Sequence, residues 1–259
     1  MVLAPNVMQA EDSRASLEIT GSSISPSINE DGAWGWWDPR KYQLWEADQD
    51  DSFDLAELRL TMPGDEFSGF LAVELYPELT GTGVQYDDEG ALVAEHQLEA
   101  EITVYDLAMT RTLNTQGAWL FRPWIALTHM QIEEKRNALQ EEGLPVDRAR
   151  SKLWGAAVGL AAETSLPWNL RLSGRVVARW ATGDRDATFT PESSYGVPGS
   201  TQVKSSDSVD RFMWGGELGI RWQASAYFGL ESGWRYRDWT DDDGPASFDG
   251  LYLRLLLRL

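Results

Sequence analysis

GLYLRLLLRL, residues 250–259, decides how the chain reads. Side chains repeat every second residue along a β-strand. Leu251, Leu253, Leu255, Leu257 and Leu259 therefore share one face, while Tyr252, Arg254, Leu256 and Arg258 share the other. Terminal residues usually fray unless something holds them. A leucine face that runs to the last residue predicts that this strand is held on both sides and that its apolar face meets something other than water.

The same pattern recurs upstream. Residues 226–238 set Phe228, Leu230, Trp234 and Tyr236 against Glu231, Arg235 and Arg237, and residues 211–223 set Phe212, Trp214, Leu218, Ile220 and Trp222 against Glu217 and Arg221. Residues 170–182 set Leu172, Val176 and Trp180 against Arg171, Arg175 and Arg179; residues 151–164 set Trp154, Val158 and Leu160 against Gly155, Gly159 and Glu163. Residues 117–131 oppose Trp119, Phe121, Ile125 and Leu127 to Arg122, Trp124 and Thr128. Residues 96–112 oppose Leu98, Ile102 and Val104 to Glu99, Glu101 and Thr103. Further strands fall at 67–76, at 52–62 and at 14–24, where Leu17 and Ile19 share a face. Alternating segments of about ten residues are the signature of transmembrane β-strands.

Composition narrows the competing classes, leaving an outer-membrane enzyme and a soluble sandwich or lipocalin-like barrel, its apolar face inward, as lesser alternatives. There are 41 acidic and 22 basic residues, a formal charge of −19, which argues against nucleic acid and against docking on anionic lipid through a basic surface. Cysteine is absent, so neither a disulfide framework nor a thiolate metal site can form. No apolar run of about 18 residues occurs, which leaves a barrel as the only way across a membrane. Four of the basic residues are lysine (Lys41, Lys135, Lys152, Lys204) and the rest arginine, the cation suited to enclosed sites with several acceptors.

Connections alternate in length, as they do between the two ends of a membrane barrel. Short turns are expected at 63–66, 113–116, 165–169 and 223–225; long connections at 23–51, 77–95, 132–149, 183–210 and 239–247. The fold class expected is all-β, an antiparallel up-and-down transmembrane barrel of about ten strands, with eight or twelve as alternatives, the last if Gly32 to Ala47 forms an extra hairpin. Short periplasmic turns and long extracellular loops complete it. Residues 14–259 form the single domain; residues 1–13 lack the basic and apolar regions of an intact secretory signal and are compatible with a remnant of one. The expected place is the bacterial outer membrane, with both termini in the periplasm. Trp154, Trp180, Trp214 and Trp239 form the upper aromatic belt, and Trp119, Trp168 and Trp222 the lower one.

The stretch WGAAVGLAAETSLPWNLRLSGRVVARWATGD, with GGELGIRWQASAYFGLESGWRYRDWTDDDGPASFDGLYLRLLLRL downstream, resembles the C-terminal half of the Legionella-type major or pore-forming outer-membrane proteins. The resemblance covers roughly residues 150–259 and rests most on YRDW, the acidic loop after it and FDGLYL. It implies an outer-membrane location and solute passage.

Inward charges define the candidate site: Arg122, Arg171, Arg175, Arg179, Glu163, Glu217, Arg221, Glu231, Arg235, Arg254 and Arg258, joined by Arg59, Arg237, Glu57, Glu74, Glu99 and Glu101. Rings of charge set selectivity in a pore, but a barrel near eight strands is filled by its own side chains. The expected function is a narrow or largely plugged porin-like channel with an Arg/Glu-lined lumen. The alternative is a structural or adhesive barrel that binds partners through its loops, with Trp34, Trp36, Trp37 and Trp45 as contact residues. Expected partners are outer-membrane lipid and lipopolysaccharide, small solutes or ions, and proteins at the loops, with no nucleic acid.

Asp48, Asp50 and Asp51, then Asp87, Asp88 and Glu89, then Asp241, Asp242 and Asp243 read as solvated loop charge; none has the spacing of a defined calcium loop, the last three being the weak metal candidates. Residues 132–143 read as a short exposed helix, and the GTG at 81–83 as turn chemistry. With His96 and His129 the only histidines, no Asp-x-His and no hydrolase or phosphate-binding motif, catalysis is not expected, nor is a cofactor.

Overall fold

A computed structural model describes residues 14–28, 42–46, 53–64, 66–86, 92–114, 119–138, 147–189, 202–241 and 244–259. The strands are β1 (Ser16–Ile28), β2 (Tyr42–Glu46), β3 (Phe53–Met62), β4 (Ser68–Tyr86), β5 (Leu92–Thr110), β6 (Leu113–Asn114), β7 (Trp119–Ala138), β8 (Asp147–Leu166), β9 (Leu170–Phe189), β10 (Val203–Gln223), β11 (Phe228–Asp241) and β12 (Gly244–Arg258). Ten of them close into one antiparallel ring, in the order β1, β3, β4, β5, β7, β8, β9, β10, β11, β12. β2 pairs with β4 beyond the end of β3, and β6 pairs with β7, so neither widens the ring. The extra hairpin considered for 32–47 therefore adds no member to it; residues 29–41 lie outside the described residues.

The closing seam is the strand read first. β12 pairs with β1 from Ser16↔Arg258 to Ile28↔Ala246 and with β11 from Phe228↔Leu257 to Asp241↔Gly244. The amide of Leu259 donates to the Ala15 carbonyl at 2.8 Å, and that of Arg258 to the Tyr227 carbonyl at 2.9 Å. A closed ring leaves no strand with unpaired backbone groups.

Both ends of the described chain lie beside the short connections after β3, β8 and β10; of the turn expected at 113–116, Leu113 and Asn114 are strand β6, and 115 and 116 lie outside the described residues. In the connection after β8, Trp168 and Asn169 have φ of 62° and 59°, and the Leu170 amide donates to the Pro167 carbonyl at 3.4 Å. That is a type I′ hairpin, whose twist matches the strands it joins. At the other end the strands are longer than expected. β4 runs to Tyr86 and β5 starts at Leu92; β9 reaches Phe189 and β10 starts at Val203; β11 and β12 leave only 242–243 between them. Much of the expected long connections is thus strand, including Gly81 and Gly83. Residues 132–138 are strand too, not helix, because Ile132 points inside while Glu133 pairs outward with Arg150 at 2.7 Å.

The outside of β10 changes character along its length. Lys204, Ser206, Ser208 and Asp210 are exposed, and below them Phe212, Trp214, Leu218, Ile220 and Trp222 are exposed as well. Residues 212–222, at a rise of about 3.4 Å each and a tilt of about 40°, cover about 25 Å along the axis, the height of the apolar band of a transmembrane barrel. β8 repeats this, from Arg148, Arg150 and Lys152 to Trp154, Val158 and Leu160. β9 repeats it from Asp186, Asp184 and Thr182 to Trp180 and Val176. Trp154, Trp180 and Trp214 mark the upper rim of this belt and Trp119 and Trp222 the lower, with Trp168 exposed on its turn.

Three expectations of facing fail, all above the belt. Ile102 and Val104 on β5 point into the lumen, and Glu101 is exposed. Trp239, expected in the upper belt, is buried inside, edge-on to Tyr76 with ring centroids 5.6 Å apart. Above the belt the outside meets water, so the ordinary rule of apolar inside and polar outside returns, while the strand period of two is unchanged.

Depth rather than facing should therefore decide the cost of an outward charge. Leu218→Arg, at mid-belt, is expected to destabilise the barrel in lipid vesicles by about 2–4 kcal/mol. Ser208→Arg, on the same face of the same strand above the belt, should leave the urea midpoint unchanged. Equal losses for the two variants would place the belt wrongly.

Candidate functional site

Inward positions within the belt carry charge. Nine arginines (59, 122, 171, 175, 179, 221, 235, 237, 254) and seven carboxylates (Glu18, Glu57, Glu74, Asp106, Glu163, Glu217, Glu231) form ion pairs inside the ring among the described residues.

Register builds this network. Glu217 on β10 faces Arg175 on β9 and Arg235 on β11 in the strand ladders. Its carboxylate lies 2.9 Å from Arg235, 2.8 Å from Arg237 and 3.8 Å from Arg175, and also accepts from Arg254. Glu57 on β3 reaches across the lumen, accepting from Arg235 and lying 3.3 Å from Arg59 and 3.2 Å from Arg175. Glu231 joins Arg221 at 2.7 Å and Arg254 at 2.6 Å, and accepts from the Tyr252 hydroxyl at 2.8 Å. Arg179 forks onto Asp106 at 3.0 and 2.7 Å and donates to Glu74 at 2.7 Å. Thr128 donates to the other Asp106 oxygen at 2.6 Å.

The charges come from all ten ring strands. Among them β4, β5, β7, β8 and β9 also contribute an apolar cluster of Phe70, Ala72, Ala108, Trp124, Ala126, Ala157 and Val177. Two inward glycines make room for large neighbours. A Cβ on Gly159 would meet the Trp124 ring at 2.3 Å, and one on Gly219 would meet the Tyr252 hydroxyl at 2.2 Å.

Above the network, toward the long-strand end, lies an apolar layer: Tyr76, Ile102, Val104, Met130, Ile132, Leu153, Ala181, Val209, Met213 and Trp239. Seven of the ten ring strands contribute to it. Tyr76 joins the two layers, since its hydroxyl donates to Glu74 at 3.1 Å and lies 3.6 Å from the Met213 sulfur. Below the network, toward the turn end, the lumen opens into a cavity of about 130 Å³ lined by Glu163, Arg122, Arg171, Arg59 and Arg258, among others.

The structure thus brings together Arg122, Arg171, Arg175, Arg179, Glu163, Glu217, Arg221, Glu231, Arg235 and Arg254, and sets Arg258 at the turn-end cavity. Glu99 and Glu101, expected among them, instead meet Lys135 at 3.2 and 3.8 Å above the belt. Glu18 and Asp106 are members that went unnamed. Both were readable: Glu18 sits between the outward Leu17 and Ile19, and Asp106 shares a face with Ile102 and Val104. Trp34, Trp36 and Trp37 lie outside the described residues; Trp45 lies on β2. Asp241 ends β11, and Asp242, Asp243, Asp48, Asp50, Asp51, Asp87, Asp88 and Glu89 lie outside the described residues. His129 is on the outer wall, stacked 4.2 Å from the Trp154 ring, with Nδ1 2.9 Å from the Leu153 carbonyl oxygen.

No known protein family matches the sequence, and no curated protein resembles it closely enough to count as a relative. The likeness to the Legionella-type proteins thus rests on the quoted motifs alone. Solved structures do match. The outer membrane protease OmpT from Escherichia coli is 9% identical, with a TM-score of 0.61 over 96% of this chain and 97% of that one. A major outer membrane protein from Thermus thermophilus is 11% identical, with a TM-score of 0.46 over 95% and 99%. The outer membrane protein OprG from Pseudomonas aeruginosa is 12% identical, with a TM-score of 0.43 over 94% and 98%. The fold is that of the outer-membrane β-barrels.

Removing the carboxylate of Glu217 while keeping its shape should show what the network contributes. Glu217→Gln leaves four guanidiniums facing a neutral amide, and a buried pair broken on one side costs about 3–5 kcal/mol. Arg111→Ala breaks the exposed Arg111–Glu66 pair, 2.7 Å long, and should cost less than about 1 kcal/mol. Urea unfolding of both variants in detergent checks the contrast.

Proposed function

We propose that the chain is an integral protein of the bacterial outer membrane, with its tryptophan-bounded belt in the bilayer and both termini in the periplasm, and that it is a largely plugged, porin-like barrel. The observation that carries the plugged reading is the apolar layer across the lumen above the charges. Met130, Leu153 and Met213 are wholly buried there, and an apolar constriction closes a pore to ions by excluding water. The Arg/Glu network below it narrows the path further.

Lipid and lipopolysaccharide are the partners implied by the belt and by the charged outer wall above it. We read the protein as one without catalytic activity: His129 faces outward against Trp154, away from every inward carboxylate. The protease activity named for the Escherichia coli neighbour belongs to that protein. A second reading, a structural or adhesive barrel, is favoured by one observation. β8, β9 and β10, of 20, 20 and 21 residues, carry the wall well past the belt.

Fractionation should recover the protein with outer membranes as a heat-modifiable band. In planar bilayers the unmodified barrel should conduct little. Met130→Ala combined with Met213→Ala, which empties the middle of the apolar layer, should raise conductance and cost about 2–5 kcal/mol per site. Large, stable channels in the unmodified protein would overturn the plugged reading.

A further inference from the structure

The turn-end cavity is built differently from the network above it. Its lining holds seven arginines and two carboxylates, Glu18 and Glu163. Deeper in the lumen the opposite charges come closer to balance, since Glu57, Glu74, Glu217, Glu231 and Asp106 all lie there. At the cavity, one carboxylate serves three guanidiniums: Glu163 lies 3.1 Å from Arg122, 2.9 Å from Arg221 and 3.7 Å from Arg171. Orphan polar atoms do not separate the two regions: the Nε of Arg59, the indole nitrogen of Trp124 and one Glu163 oxygen lack a hydrogen-bond partner on lining residues, and donors of Arg179, Arg235 and Arg237 lack one deeper in the lumen. What sets the cavity apart is its excess of guanidinium, which raises the local positive potential.

We propose that this cavity is a binding site for a small oxyanion, a carboxylate or phosphate group, that enters from the turn end of the barrel. A volume of about 130 Å³ is that of about four waters at roughly 30 Å³ each, enough for one such group. Guanidinium forks match the paired oxygens of both groups. Arg59 is held for this by its stacking on Phe70, 4.3 Å from the ring centroid. The ring of Trp124, edge-on to Phe70 at 5.4 Å, closes the wall beside it. The apolar layer stops the anion from passing through, so the site is a pocket rather than a step on a pathway.

The test is calorimetric titration of the full chain, folded in a zwitterionic detergent and washed free of phosphate and carboxylates, with inorganic phosphate and separately with succinate. Saturable binding of either at one per barrel supports the site, and the stronger of the two names its chemistry. Ala161→Phe, set between Arg122 and Arg175 in the strand ladders, fills the cavity without removing a charge, and Arg258→Gln removes a charge that is only partly buried. Each should weaken binding about tenfold or more, while heat-modifiability shows that the barrel is still folded. No saturable binding of either anion, or binding that Ala161→Phe leaves unchanged, would overturn the proposal. The titration reads occupancy and not conductance, so its outcome is separate from that of the plugged reading.

Discussion

The lumen of a ten-stranded ring is largely filled by its own side chains, so each inward charge must find its partners on neighbouring strands or across the lumen. That constraint governs the rest of the barrel. An ion pair out of water recovers its desolvation cost only when the remaining hydrogen-bonding positions are also met, and here each carboxylate is shared. Glu57 and Glu217 each draw four guanidiniums, from β3, β9, β11 and β12 and from β9, β11 and β12 respectively. A planar cation with five donors can serve two such acceptors at once, and an ammonium cannot do so in a fixed plane. The scarcity of lysine follows from this. So does the coupling of register to closure: a slip of one residue at the β1–β12 seam would turn Arg254 outward and remove Thr20 and Glu231 as its partners.

Along the axis the two faces of the wall exchange roles. Within the belt the inside carries the charges, beside a smaller apolar cluster, and the outside is apolar; above it the inside is mainly apolar, with Glu134, Asp147, Ser151 and Arg211 buried there too, and the outside is charged. Both halves obey one rule, that an apolar face turns away from water, with water inside the belt replaced by fixed guanidinium and carboxylate partners. The junction is sharp at Tyr76, whose hydroxyl belongs to Glu74 and whose ring packs against Trp239. At this height the lumen changes from mainly ionic to mainly apolar, with Ser151 and Arg211 the polar residues buried beside the layer, and that favours a plug over a pore.

This exchange also marks how far the sequence could be read. The ring of ten, three of the four short turns and the network residues of β8 to β12 followed from parity and the sign of the alternation. On β5 the parity was correct and the sign was not. The membrane rule turns apolar faces outward, but Ile102 and Val104 stand above the belt, where apolar residues face in. Asp106 was lost with them, since it shares their face. Trp239 failed in the same way, although Arg235 and Arg237 on its own face gave the parity. Strand length was hidden for a related reason. Polar stretches such as 204–210 resemble loops by composition, and only their pairing, Ser205↔Ala187 through Val209↔Gly183, shows them to be wall. The apolar layer could not be read at all, because its members come from seven strands and no local segment carries its signature.

The excess of arginine at the turn end is harder to account for by stability alone. A network selected only to fill the lumen would tend toward balanced charge, since each buried cation in excess adds desolvation cost with little attraction to offset it. Acid is not scarce in this chain, which carries a formal charge of −19. Yet the inner wall gathers more guanidiniums than carboxylates, and the surplus is concentrated around the cavity that opens to the turn end. Filling could have been met by placing a further glutamate at an inward position such as Ala161 or Thr61, both on the lining. Small neutral residues stand there instead, leaving both the space and the positive potential in place. Space and surplus positive charge at one point, on the far side of an apolar stop, are what a pocket for an anion requires and what a purely structural filling would remove.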